Sequence, residues 1–309
     1  MQRNLVDYLI LMLKGMAMGA ADAVPGVSGG TIAFIAGIYE ELINTINQIN
    51  FSLITTLKNE GFKAAWKQIN GNFLLALLLG IGISFVSFMR LAKYLIEHQP
   101  ILIWSFFFGL VLASILFVAK QITKWSITNI VLLILGAFIA YYITTLPALA
   151  SNGNPIFFFF AAAIAICAMI LPGISGSFIL VLLGAYKTLS DTIHDLDIKK
   201  LLIFIAGAIV GLLSFSKLLK WLFTNYKNAT LAILTGFITG SLNKIWPWKE
   251  VMTWRTNSKG VKVPLLEESI LPQYYIELYN KDAQISFAIS LMVIGFLSIF
   301  ILERIGSKK

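Results

Sequence analysis

Apolar residues fill long unbroken stretches of the chain, and polar residues gather in short clusters between them. The runs at 73–95, 101–119, 127–149, 156–171, 201–223, 231–245 and 285–302 approach the ~20 apolar residues that cross a bilayer as a helix. Residues 5–23 and 32–46 are weaker spans, since Asp7, Lys14 and Asp22 interrupt the first. The longest polar stretch is 247–284. The pattern predicts an all-α polytopic membrane protein, one membrane domain over residues 1–309, with no separate soluble domain.

One broken segment occurs twice. Residues 24–46 read VPGVSGGTIAFIAGIYEELINTI and residues 171–193 read LPGISGSFILVLLGAYKTLSDTI. At a constant offset they share Pro25/Pro172, Gly26/Gly173, Ser28/Ser175, Gly29/Gly176, Gly37/Gly184 and Tyr39/Tyr186. Further along, GIGISFVSFMRLAKYL from Gly80 matches GAIVGLLSFSKLLKWL from Gly207, and FFFGLVLAS from Phe106 matches AILTGFITGS around Gly236. The chain therefore reads as two repeats, 1–149 and 150–309, the second including 247–284. Each repeat has a helix, a PG(V/I)SG break, a second helix and three long spans. Whether the broken hairpin is re-entrant or crosses fully, each unit makes an odd number of crossings, so the second unit is inverted. Glycine-broken segments at matching places in two halves point to a transport site.

Arg3, Lys58, Lys63, Lys67, Lys120, Lys124, Lys227, Arg304, Lys308 and Lys309 fall on one side of this scheme, and the loops at 97–100 and 151–155 carry no Lys or Arg. The positive-inside rule puts both termini in the cytoplasm and 247–284 outside. Trp104, Trp125, Trp221, Trp246 and Trp248 stand near span ends, where interfacial tryptophans belong. Arg3 and Ala21-Asp22-Ala23 resemble a cleavable leader, but Lys14 breaks its apolar core, so the segment is expected to be retained.

At the break, Pro25 lacks an N–H, and Gly26, Gly29 and Gly30 permit left-handed or tightly turned backbone. Non-helical backbone at membrane depth is tolerated where it is buried in protein or lines a wet cavity. The arm that starts at Ser28 or Gly29 would offer free N–H donors to an anion, with hydroxyls from Ser28, Thr31 and Ser175. Pro172, Gly173, Gly176 and Ser177 are the second copy's candidates. The alternative is a plain helical turn with an N-cap serine.

Charges within the spans are candidates by default, since each costs at least ~2.5 kcal/mol. Arg90 and Lys217 occupy matching places after Ser87-Phe88 and Ser214-Phe215 and suit a phosphate monoester. Lys93 and Lys220 also match and are expected to snorkel to an interface. Lys14 and Asp22 are expected to pair with each other or to couple transport. Glu40 and Glu41 are candidates for a protonatable gate or an interfacial position.

Composition narrows the chemistry. Apolar residues are 58% and charged residues 13% of the chain, whose net charge is +9. That balance fits positive-inside loops and anionic lipid, and disfavours nucleic acid. Cys167 is the single cysteine, and His98 and His194 form no metal pattern. No nucleotide loop appears, and no metal or cofactor is implied.

The segment LKGMAMGAADAVPGVSGGTIAFIAGIYEELI, with its echo LPGISGSFILVLLGAYKTL, resembles the polyprenyl-phosphate transporter family, long catalogued as a domain of unknown function. The resemblance implies a bacterial or archaeal plasma-membrane protein. It would return undecaprenyl phosphate from the outer to the inner leaflet for envelope synthesis. The phosphate would be held at the two breaks and neutralised by Arg90 and Lys217, with protons as candidate coupling ions. Undecaprenyl-diphosphate phosphatases are a second resemblance, with a PG-x-SRSG motif. Here Gly29-Gly30 and Gly176-Ser177 replace that family's Arg-Ser, and the glutamates of its first helix have no counterpart. A transporter of a small soluble anion is the third reading.

Overall fold

Hydrocarbon offers no hydrogen-bond partners, so an apolar run satisfies its own backbone by folding as a helix. The computed structural model describes residues 3–22, 27–149, 154–256 and 262–307. Helix α1 (Leu5–Asp22) leads into the first break, and α2 (Gly29–Ile35) and α3 (Tyr39–Asn47) leave it. A short pair, α4 (Phe51–Glu60) and α5 (Phe62–Gln68), precedes the long helices α6 (Gly71–His98), α7 (Pro100–Ala119) and α8 (Ile127–Thr145). The second half follows the same order with α9 (Pro155–Ile170), α10 (Gly176–Leu182), α11 (Ala185–His194), α12 (Ile198–Asn225) and α13 (Lys227–Ser241). A 3-10 turn (Leu242–Ile245), strands β1 (Lys249–Thr256) and β2 (Lys262–Ser269), and α14 (Pro272–Tyr279) come before α15 (Ile285–Ser307).

The protein is helical and multi-pass, as the pattern of runs predicts. Helices α7, α8 and α12 are each long and apolar enough to cross a membrane. Helix α5 and the first part of α6 are bent by 68° at Ile69-Asn70, where Asn70 is left-handed (φ 48°). Two features depart from the expectation. The 247–284 segment contains an antiparallel strand pair, with Lys249 opposite Ser269 and Thr256 opposite Lys262. Each arm after a break is two helices rather than one, because Gly37 (φ 69°) and Gly184 (φ 68°) take a left-handed turn. The Ile38 N–H then bonds back to the Ala33 carbonyl at 3.0 Å, which ends α2.

Glycines set how the helices pair, because they let backbones touch. Gly15 lies against Leu77 and Gly80, and Gly19 against Ile81, so α1 and α6 run side by side in one direction. Gly207 against Phe159 and Gly211 against Ala163 place α9 and α12 likewise. The chain between each such pair must therefore turn back on itself. Between the halves, Gly236 and Gly240 seat α13 on Leu133 and Ala137 of α8, while Gly109 and Gly295 seat α7 on α15. One continuous core, including Phe34, Ile35, Phe73, Leu77, Leu234 and Ile238, joins the first broken hairpin to these helices.

Trp246 and Trp248 near the span ends are also bonded within the protein. The Trp246 indole donates to the Ile270 carbonyl at 2.8 Å, and the buried Trp248 donates to the Ala283 carbonyl at 2.9 Å. They fasten the strand pair to the helices. Trp125 and Trp221 remain about half exposed, as interfacial residues would be.

Candidate functional site

The first break is closed by its own charges. Pro25 and Gly26 lie outside the described residues. Past them, the Gly29 N–H donates to Asp22 Oδ1 at 2.7 Å. At the other end of α2, Lys14 Nζ donates to the Ala36 carbonyl at 2.7 Å. A carboxylate at the N-terminus and an ammonium at the C-terminus both complement the helix dipole. The expected Lys14–Asp22 pairing is thus replaced by a clamp, since two turns of α1 match the length of the seven-residue α2. The Gly29 donor that the sequence reading offered to an outside anion already has an anion.

Gly29 and Gly30 are helical, so left-handed backbone is not their role. A side chain at Gly29 would strike the Asp22 carboxylate, and one at Gly30 would stand 2.7 Å from the Ile170 carbonyl. In the second copy the left-handed residue is Gly173 (φ 86°), where a Cβ would come within 2.8 Å of the Ile238 Cα.

The two breaks meet. Ser28 Oγ donates to the Leu171 carbonyl at 3.3 Å, and the Gly173 N–H donates to Thr31 Oγ1 at 2.9 Å. The Tyr39 hydroxyl, buried, donates to the Ile170 carbonyl at 3.1 Å. Ser28 and Ser175 occupy the N-cap positions of α2 and α10, but neither caps its helix through a side-chain hydrogen bond. Pro172 and Gly176 are buried beside this junction. Ser175 and Ser177 share a hydroxyl–hydroxyl hydrogen bond of 2.9 Å.

A narrow cleft opens at the second break, with a volume of about 10 Å³. Its wall includes Thr144, Gly173, Ser175, Phe178, Ser241 and Lys244. Lys244, on the 3-10 turn after α13, stands 4.9 Å over the Phe178 ring and 3.2 Å from Glu267 Oε2. Lys244, Thr144 and Ser241 come to the second break only through the fold. The available signal was a lysine directly after a small polar run at a span end, in TGSLNKIWPWK.

Lys217 is exposed on α12, which runs alongside α9 in the same direction; six residues past Gly211, it stands about 9 Å further along, toward the Ile170 end of α9. Arg90 is on α6, and its side chain lies outside the described residues. Glu40 pairs with Lys227 at 2.7 Å, and Glu41 pairs with Arg3 and accepts from Asn70 at 2.9 Å. Both acids therefore stand at the end that carries the termini. There Glu41 lines an open polar depression with Asn44, Thr45, Gln48, Gln68 and Asn70.

Residues 18–263 match the family described as VCA0040-like, undecaprenyl phosphate translocase-like. A polyprenyl-phosphate transporter of Vibrio cholerae is 46% identical over 303 residues, covering 98% of both chains. A polyprenyl-phosphate transporter of Staphylococcus aureus is 33% identical over 260 residues, covering 77% of this chain and 86% of that one. No solved structure matches.

Proposed function

The chain belongs to the undecaprenyl phosphate translocase-like family, and we propose that it moves a polyprenyl phosphate, of the undecaprenyl phosphate type, from the outer to the inner leaflet of the bacterial plasma membrane. The observation that carries this reading is the junction of the two breaks. Thr31 and Gly173 bond across the halves, with a cleft on the β-strand side and a polar depression on the terminus side. A junction between two openings is what alternating access needs at its centre. In this reading both termini are cytoplasmic and the two halves are inverted copies, in keeping with the matched side-by-side helix pairs.

The phosphate enters beside Gly173, Ser175 and Ser177 while the isoprenoid tail stays in lipid. Breaking the Ser28–Leu171 and Thr31–Gly173 contacts frees hydroxyl and backbone donors for it. Arg90 and Lys217, at matching places on α6 and α12, neutralise it as the halves rock. An inside-negative potential opposes inward movement of an anion by ~2.3 kcal/mol per charge per 100 mV, so proton coupling is part of the proposal.

The test uses purified protein in liposomes. It follows transbilayer movement of undecaprenyl phosphate alongside phosphate release from undecaprenyl diphosphate. Movement without release, lost in an Arg90→Ala/Lys217→Ala variant, is the expected result. Phosphate release would replace the transporter reading with a phosphatase, and neither activity would point to a soluble anion.

A further inference from the structure

Two ammonium groups share one carboxylate at the β-strand end. Lys244 Nζ and Lys249 Nζ lie 3.2 and 3.7 Å from the same oxygen, Glu267 Oε2. Lys249 also donates to the Lys244 carbonyl. The side chains are 19%, 9% and 25% exposed for Lys244, Lys249 and Glu267. Ring faces complete the enclosure, with Phe178 at 4.9 Å from Lys244 and Trp104 at 5.2 Å from Lys249.

Formal charges leave this cluster with one positive charge in surplus. Screening is weak at such burial, so a surplus cation favours a second anion. Lys244 is also the cation on the wall of the cleft, which Thr144, Ser175 and Ser241 line with it. The Thr144 and Ser241 hydroxyls already donate to the Tyr141 and Ile238 carbonyls, so the Ser175–Ser177 pair supplies the hydroxyl donor that suits a phosphate oxygen beside the ammonium.

We propose that Lys244 and Lys249 form the capture site for a phosphate group at the β-strand end, and that Glu267 is its built-in competitor. The inference rests on the transport reading for the lipid source of that phosphate; the site chemistry would equally take inorganic phosphate. The cleft is narrow while Glu267 holds Lys244. An arriving phosphate takes over Lys244, Glu267 moves off with β2, and the cleft widens toward Gly173 and Ser175. On release the carboxylate returns and closes it.

The experiment titrates full-length protein in detergent with inorganic phosphate and, separately, with undecaprenyl phosphate. Tryptophan fluorescence is the readout, since Trp104 touches the cluster. Lys244→Gln should weaken both probes by ~10-fold or more, the size of one charge-assisted hydrogen bond. Glu267→Gln should tighten both several-fold, whereas a merely structural ion pair would give no tightening. Lys249→Arg, which keeps the charge if Lys249→Gln misfolds, should bind within a few-fold of wild type. Unchanged binding in Lys244→Gln, or no tightening in Glu267→Gln, overturns the site even where wild type translocates lipid phosphate. Lys244-dependent phosphate binding in a protein that moves no lipid keeps the site and discards the transport reading.

Discussion

The two breaks carry one motif and are finished differently. At the first, Asp22 and Lys14 hold both ends of α2, and Tyr39 is buried against the partner break. At the second, Met169 and Ala161 stand in the places of Asp22 and Lys14, and Tyr186 is 38% exposed. A Cβ at Gly176 would lie 3.0 Å from the Met169 Cβ, so the same packing position is filled by an apolar side chain instead of a carboxylate. The charge at the second break comes from outside the motif, through Lys244. One copy is locked by neighbours within its own hairpin, and the other is left facing a cleft. Shared sequence between repeats therefore specifies a shared backbone shape and says little about shared chemistry.

Four measurements break or sharpen this comparison. The largest effect is expected at Gly173, where alanine meets both a left-handed backbone and the Ile238 Cα. Gly173→Ala should lower stability by about 3 kcal/mol or more, read by thermal unfolding in detergent. Gly82→Ala, with open space around it, is its control and should be neutral or stabilising. Next is the clamp: Asp22→Ala leaves the Gly29 N–H without its acceptor and should cost about 1–3 kcal/mol. Met169→Leu at the matching place should cost under ~1.5 kcal/mol. Equal losses would erase the asymmetry.

Third, Thr31→Val removes the acceptor of the Gly173 N–H at nearly constant shape and should cost about 1 kcal/mol. Ser177→Ala, which removes one side of a hydroxyl pair, should cost less. The smallest effect is pH dependence outside the membrane spans. Burial pushes the Lys249 ammonium down to about 8, against the upward pull of Glu267 and with Lys244 adding to the fall. Burial alone would raise the Glu267 carboxyl, yet Lys249 and Lys244 hold it below the usual carboxylate range. Between pH ~8 and the ordinary lysine value of 10.5 the folded protein binds fewer protons at Lys249 than the unfolded chain. Stability should therefore rise with pH across that window. Phosphate binding needs the charged lysine and should fall as pH passes ~8. A flat binding profile from pH 7 to 9 would separate Lys249 from the anion.

Apolar runs and the doubled motif were enough to predict a helical multi-pass protein with a break in each half. Membrane helices form wherever a run must satisfy its own backbone, so that much depends on local composition. Glu40 and Glu41 were legible as end-of-helix charges for the same reason. The turn at Gly37 and Gly184 was visible as a matched glycine in both copies, though not as the left-handed residue that splits each arm. Asp22 and Lys14 were visible as costly charges, but which partner relieved that cost depended on α2 folding back along α1. The Thr31–Gly173 bond joins residues from opposite halves, and no periodicity encodes such a distance. Lys244, Lys249 and Glu267 converge only because a strand pair, pinned by Trp246 and Trp248, returns over the end of α13. Local composition determined where the helices and breaks fall. Tertiary packing decided which buried charges meet, because the relief of a buried charge comes from groups brought near by the fold rather than from neighbours in sequence.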